Sequence, residues 1–109
     1  MSDISEIIQA ISKFRDARDW SKFHNSKDLA IAINSEASEL LDLFLWKSAD
    51  ECNVEQLKEE LADVLIFCFY LADKHRLDVK EIILDKLKAN MSKYPVDKSR
   101  GNAKKYTDL

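Results

Sequence analysis

A chain of 109 residues with one glycine, one proline and 46% hydrophobic residues carries too few turn formers for many short strands, so the expected class is all-α. Its formal charge of −3 gives no electrostatic basis for binding a nucleic acid polymer. Cys52 and Cys68 have no CxxC spacing and build no disulfide framework, and no signal-peptide pattern precedes the first helix, so the expected compartment is the cytoplasm.

The chain is read as a single domain, residues 1–109. Ile4, Ile7, Ile8, Ile11 and Phe14 recur at helical spacing and predict a first amphipathic helix ending near Arg18. A short loop from Asp19 to Ser26 carries Trp20, Phe23 and His24, and Asn25 or Ser26 can cap the next helix. That second helix is expected from Lys27 to Trp46, followed by a polar break from Lys47 to Asn53. Asn53 with Gln56 three residues on resembles a capping box and opens a third helix, which runs to about His75. Asp78 with Glu81 repeats the signal for a fourth helix, ended near Tyr94 by Pro95. The remaining tail, about 96–109, is polar and expected to be irregular.

Within the third helix, the run Val64 to Ala72 is apolar on every side apart from the Tyr70 hydroxyl, yet too short to span a bilayer. A helix apolar all round must be covered all round. Helices of one small subunit barely suffice, so a facing subunit is expected to complete the core.

Two acidic couples interrupt otherwise apolar helix: Glu36-Ala-Ser-Glu39 and Glu60-Leu-Ala-Asp63. Residues three apart share a helix face, so two such helices packed together would gather four carboxylates in one place. Acid pairs also decorate solvated faces, and 20 acidic residues in 109 make chance pairs common. Their placement favours the buried reading. At about 100° per residue, Glu36 projects between Ile33 and Leu40, and Glu60 and Asp63 align with Phe67. Four clustered carboxylates repel one another unless a hard divalent cation holds them ionised, and an all-oxygen set suits Mg²⁺ or Mn²⁺. A di-iron bundle needs Glu-x-x-His, whereas Ser21 and Ala72 precede His24 and His75 at that spacing. Between Lys86 and Lys105 there are seven basic residues against the single acid Asp97, the counterpart a metal-bound polyphosphate needs. With no Gly-x-x-x-x-Gly-Lys loop, phosphates must be held by metal and basic side chains.

The two couples, twenty residues apart, resemble the Glu-x-x-Glu, Glu-x-x-Asp signature of the MazG-type all-α nucleoside triphosphate pyrophosphohydrolases. Further segments resemble the dCTP pyrophosphatase branch: Arg18-Asp-Trp-Ser-Lys-Phe-His24, Phe44-Leu-Trp-Lys47, Glu59-Glu-Leu-Ala-Asp-Val-Leu65, Lys93-Tyr-Pro95 and Lys105-Tyr-Thr-Asp-Leu109. The resemblance implies a four-helix bundle-like MazG fold and cleavage of a nucleoside triphosphate between its α and β phosphates. It implies Glu36, Glu39, Glu60 and Asp63 as Mg²⁺ ligands and catalytic groups, with Mn²⁺ as a substitute and Glu39 as the expected proton acceptor. By the same resemblance Trp20 and Trp46 stack on the base, with Phe23, His24 and Phe67 beside them. Lys47, Asn90, Lys93 and Tyr94 are expected near phosphates. Ile11 and Phe67 depart from the histidine and tyrosine that close members of the branch carry at those positions, which alters base or sugar preference.

The expected function is therefore nucleotide-pool house-cleaning on dNTPs, with dCTP favoured and a homotetramer built as a dimer of dimers. Sibling readings are dUTP, modified nucleotides or phosphoribosyl-ATP as substrate. A different class is a nucleotide-binding helical module without catalysis, against which the intact four-carboxylate motif argues.

Overall fold

The computed structural model describes residues 2–109, and its regular structure there is entirely helical. Four main helices follow in order: α1 (Asp3–Ala17), α2 (Ser26–Asp42), α3 (Val54–Lys74) and α4 (Val79–Lys93), with a short α5 (Val96–Ser99) behind them. The described residues fall into two compact units, one ending at Leu77 and the other beginning at Asp78.

Side-chain caps start each main helix where the orphan N–H groups require them. The Ser2 hydroxyl accepts from Ser5 N, Asn25 from Asp28 N, Asn53 from Glu55 N and Gln56 N, and Asp78 from Glu81 N. Glycine is nearly absent from the chain, and the C-termini show how it does without. After α1, Asp19 takes φ 54° while Asp19 N donates to Asp16 O and Trp20 N to Arg15 O. After α3, Arg76 takes φ 55° while Arg76 N donates to Asp73 O and Leu77 N to Ala72 O. Both are Schellman closures with a non-glycine residue in the left-handed region. Such a residue carries a steric cost of about 1–2 kcal/mol, which glycine avoids at some loss of chain entropy. Arg76→Gly is accordingly expected to raise stability by about 0.5–1 kcal/mol. Urea denaturation with an unchanged or lower midpoint would contradict it.

Helix α2 ends at Asp42, four residues before the Trp46 expected from the apolar pattern. Beyond it the bonding tightens to i→i+3: Phe44 N donates to Leu41 O and Leu45 N to Asp42 O. Trp46 then takes φ 62°, which turns the chain out of the helical path. The tail also departs from the irregular expectation. Pro95 ends α4, but Val96–Ser99 form a helical turn and Tyr106–Asp108 a 3-10 turn. The Tyr106 ring packs edge-on against Tyr94 at 6.0 Å, with Lys93 Nζ 4.8 Å from its centroid.

In the first unit, α3 packs along α2 and also meets α1. Leu29 is the most buried side chain, 1% exposed, with Tyr70 and Ala72 also buried. The Tyr70 hydroxyl donates to Ile11 O at 2.6 Å, joining α3 to α1 across 59 residues of sequence. Ser26 Oγ and His75 Nε2 lie 2.7 Å apart and tie the start of α2 to the end of α3. Leu61 and Leu65 stay about half exposed on α3, one helical turn apart, so this unit leaves part of that helix uncovered. Among the described residues no helix is long and apolar enough to cross a membrane.

Candidate active site

Packing α2 on α3 brings Glu36 against Glu60 and Asp63. One carboxylate oxygen from each lies within 4.8 Å of the others, a spacing that suits shared coordination of one ion. Glu36 and Glu60 are half-buried, and each keeps its Oε2 buried with no hydrogen-bond partner. None of the ion pairs among the described residues involves any of the four motif acids. Glu39 is exposed and stands outside the close triad, but its carboxylate still acts on both glutamates.

Electrostatics follows from this crowding. The neighbouring Glu39 carboxyl first, then burial and the charges of Asp63 and Glu60, push the Glu36 carboxyl from 4.5 up to about 7. Burial first, then Glu39 and Asp63, also raise Glu60. Two buried oxygens without partners and a carboxyl that resists ionisation make a donor set that could hold a cation. Hard all-oxygen donors fit a Mg²⁺-like ion, so the residues present match the group the motif implies.

A pH dependence follows. Without metal, Glu36 keeps its proton in the fold up to about 7, whereas in the unfolded chain it ionises near 4.5. The folded state thus holds the extra proton between those values, and metal-free stability falls as pH rises through that window. A divalent cation must displace the same proton, so its binding strengthens toward neutral pH. The rise in Tm on adding Mg²⁺ to chelator-treated protein is expected to be larger at pH 7.5 than at pH 5.5. Equal rises at the two pH values would contradict the arrangement.

Beside the acids a cavity of about 420 Å³ opens in the same unit. Helix α1 contributes Ala10, Ile11 and Phe14 to its wall, and the following loop contributes Trp20 and His24. Helix α3 completes it with Asp63, Ile66, Phe67 and Tyr70. Asp63 therefore belongs to both the acidic triad and the apolar cavity. Trp20 is held edge-on to Phe14 at 5.7 Å, and the Arg18 guanidinium lies 3.7 Å from the Phe14 centroid. Phe67 meets Tyr70 at 6.3 Å, and His24 leans on the other aromatic face at 4.9 Å from Tyr70.

Of the residues expected at the base, Trp20, His24 and Phe67 line this cavity. Phe23 does not; it is 62% exposed with Lys22 Nζ 5.4 Å from its ring. Trp46 is fully exposed beyond the end of α2, and Lys47 follows it, also exposed. Asn90, Lys93 and Tyr94 lie in the second unit, where Asn90 borders a shallow groove with Ile82, Ile83, Lys86 and Leu87. Sequence reasoning missed Phe14 and Tyr70 as cavity walls. A signal was present for Tyr70, since Asp63, Phe67 and Tyr70 recur at steps of four and three on one stripe of α3, whereas Phe14 on α1 offered only its place in the amphipathic pattern.

The chain belongs to the MazG-like family, whose model matches residues 31–109. It is similar to dCTP pyrophosphatase 1 of Bos taurus, at 38% identity over 97% of this chain and 68% of that protein. The same protein of Homo sapiens is 34% identical over 97% of this chain and 67% of its own length. Among solved structures, a pyrophosphatase from Archaeoglobus fulgidus superposes with a TM-score of 0.81 at 33% identity, covering 87% of this chain and 94% of that one.

Proposed function

We propose that this chain is a Mg²⁺-dependent nucleoside triphosphate pyrophosphohydrolase that converts dNTPs, dCTP foremost, into the monophosphate and pyrophosphate. The observation that carries the reading is Asp63: one side chain stands in the carboxylate triad and in the wall of an aromatic cavity. A nucleotide has the matching polarity, a flat base at one end and a polyphosphate that travels with divalent metal at the other. Membership of the MazG-like family and similarity to proteins named for pyrophosphatase activity support the enzyme class.

Each part of the site has a task. Trp20, braced by Phe14, offers a rigid face on which a base can stack. Glu36, Glu60 and Asp63, with Glu39 beside them, would hold Mg²⁺, or Mn²⁺ in its place. When bound, that ion supplies charge neutralisation and polarisation at the phosphates. Glu39, outside the close triad, is the carboxylate left to take a proton from the attacking water. Within the first unit, Lys47 is assigned to the phosphates, and Phe23 and Trp46 to the bound base. The half-exposed Leu61 and Leu65 on α3 support a face covered by another subunit; the working state is proposed as a homotetramer, a dimer of dimers, in the cytoplasm, with residues 1–109 as one functional domain.

At positions 11 and 67 the cavity wall carries Ile11 and Phe67 rather than an imidazole and a hydroxyl, which favours dUTP and modified nucleotides as alternative substrates beside dCTP. A panel of common dNTPs and NTPs, each with Mg²⁺ and with chelator, tests the proposal. Metal-dependent turnover with a deoxynucleotide ranked first is the expected result. A ribonucleotide ranked first, or no cleavage of any of them, would overturn the substrate assignment.

A further inference from the structure

We infer that Tyr70 is a positioning residue: through its bond to Ile11 it holds α1 at a set distance from α3, and so fixes the width of the cavity that takes up the flat end of the substrate. The inference rests on the function proposed above and adds to it a residue that acts through the cavity wall, not on the phosphates.

The cavity lies between two helices that are held together lightly. Helix α1 supplies Ala10, Ile11 and Phe14 to the wall, yet none of its residues is fully buried. The acidic triad needs only α2 and α3, whose own packing holds Glu36 against Glu60 and Asp63. With so little apolar surface sealed along α1, its grip depends more on directional contacts. Among the described residues one hydrogen bond and one ion pair join α1 to α3. The ion pair runs from Arg15 Nη1 to Asp73 Oδ2 at 3.6 Å, and the Asp73 side chain is 37% exposed, so solvent screens it. The hydrogen bond runs from the Tyr70 hydroxyl to Ile11 O at 2.6 Å, from a residue only 5% exposed. A helix carbonyl keeps a second lone pair after its in-helix bond, so α1 loses nothing by accepting it. Burial, above all, holds the phenol's pKa above its ordinary value, and the hydroxyl stays a donor at neutral pH.

The Tyr70 ring also touches the other walls. His24 lies 4.9 Å from it, Phe67 6.3 Å, and the Arg15 guanidinium 5.6 Å. On the far side, Ile11 and Phe14 share a face of α1, and Phe14 holds Trp20 edge-on at 5.7 Å. A displacement of α1 therefore carries Ile11, Phe14 and Trp20 together, away from Phe67 and Asp63 on α3. Widening a contact by about 0.5–1 Å forfeits roughly a quarter to a half of its dispersion energy. A loosened seam thus weakens uptake of a flat ring while the carboxylates stay where α2 and α3 put them.

The test is Tyr70→Phe, which keeps the ring and removes the hydroxyl, with kcat and KM measured for dCTP in Mg²⁺. KM is expected to rise about threefold to tenfold, the net worth of one hydrogen bond, while kcat stays within about twofold of wild type. An unchanged KM, or a loss confined to kcat, would overturn the inference and leave the pyrophosphohydrolase reading intact. Amide hydrogen exchange of the whole protein without nucleotide judges the assignment even if no triphosphate is cleaved. In Tyr70→Phe the amides of α1 and of the Trp20 loop are expected to exchange faster, with those of α2 and α3 unchanged. Exchange that rises evenly along the chain, exchange that does not change, or loss of the helical fold by circular dichroism would make the hydroxyl a general support of stability and overturn its positioning role.

Discussion

Replacing Glu60 by glutamine is expected to lower turnover by about a thousandfold or more while leaving the helical fold intact. The magnitude follows from the proposed role of Glu60 as a charged oxygen ligand beside the phosphates, where losses of this order are usual for single electrostatic groups. The substitution keeps the shape of the side chain, so the packing of α3 on α2 is undisturbed. It also removes one of the negative charges that raise Glu36. Metal-free Glu60→Gln is therefore expected to melt at or above the wild-type temperature, with the stabilisation by Mg²⁺ lost. Circular dichroism with and without Mg²⁺ beside a pyrophosphate-release assay checks both halves. Retained activity would sink the assignment of Glu60, and a collapsed fold would mean the carboxylate has a structural task.

Leu29→Ala is expected to cost about 3–4 kcal/mol of stability, the middle of the range for truncating a buried leucine. Leu29 is 1% exposed on α2, in a unit with few wholly buried side chains, so little neighbouring apolar mass is available to close the cavity. In a domain of this length such a loss is a large part of the total stability. Denaturant unfolding measures it, and a loss below about 1 kcal/mol would show that the site relaxes around the smaller residue.

Helix starts were legible because their causes are local. Asn25, Asn53 and Asp78 each sit directly before an apolar period and each accepts backbone N–H bonds there. Pro95 stops α4 for an equally local reason. The end of α2 was not legible, because Leu43 to Trp46 continue the apolar pattern while the backbone changes to i→i+3 bonding. Periodicity does not separate those two states. Nor was the docking of Tyr106 on Tyr94, which joins residues twelve apart across Pro95 and Gly101.

The candidate site divides in the same way. Spacing alone places Glu36 and Glu60 on inward faces, and the contact of α2 with α3 then brings Asp63 to them. Glu39 was expected as the fourth ligand and the proton acceptor; it is exposed and stands outside the close triad. The aromatic cavity depends on α1 meeting α3, a contact between residues far apart in sequence. For that reason Phe14 and Tyr70 read in the sequence only as amphipathic packing. His24 was expected beside the base from the resemblance, and it lines the cavity.

The most direct measurement is product analysis of dCTP incubated with the pure protein, by ion-exchange chromatography, in Mg²⁺ and in excess chelator. The account predicts dCMP and pyrophosphate in equal amounts with Mg²⁺ and intact dCTP with chelator. Release of dCDP and phosphate, the same products in chelator, or no cleavage in Mg²⁺ would contradict it.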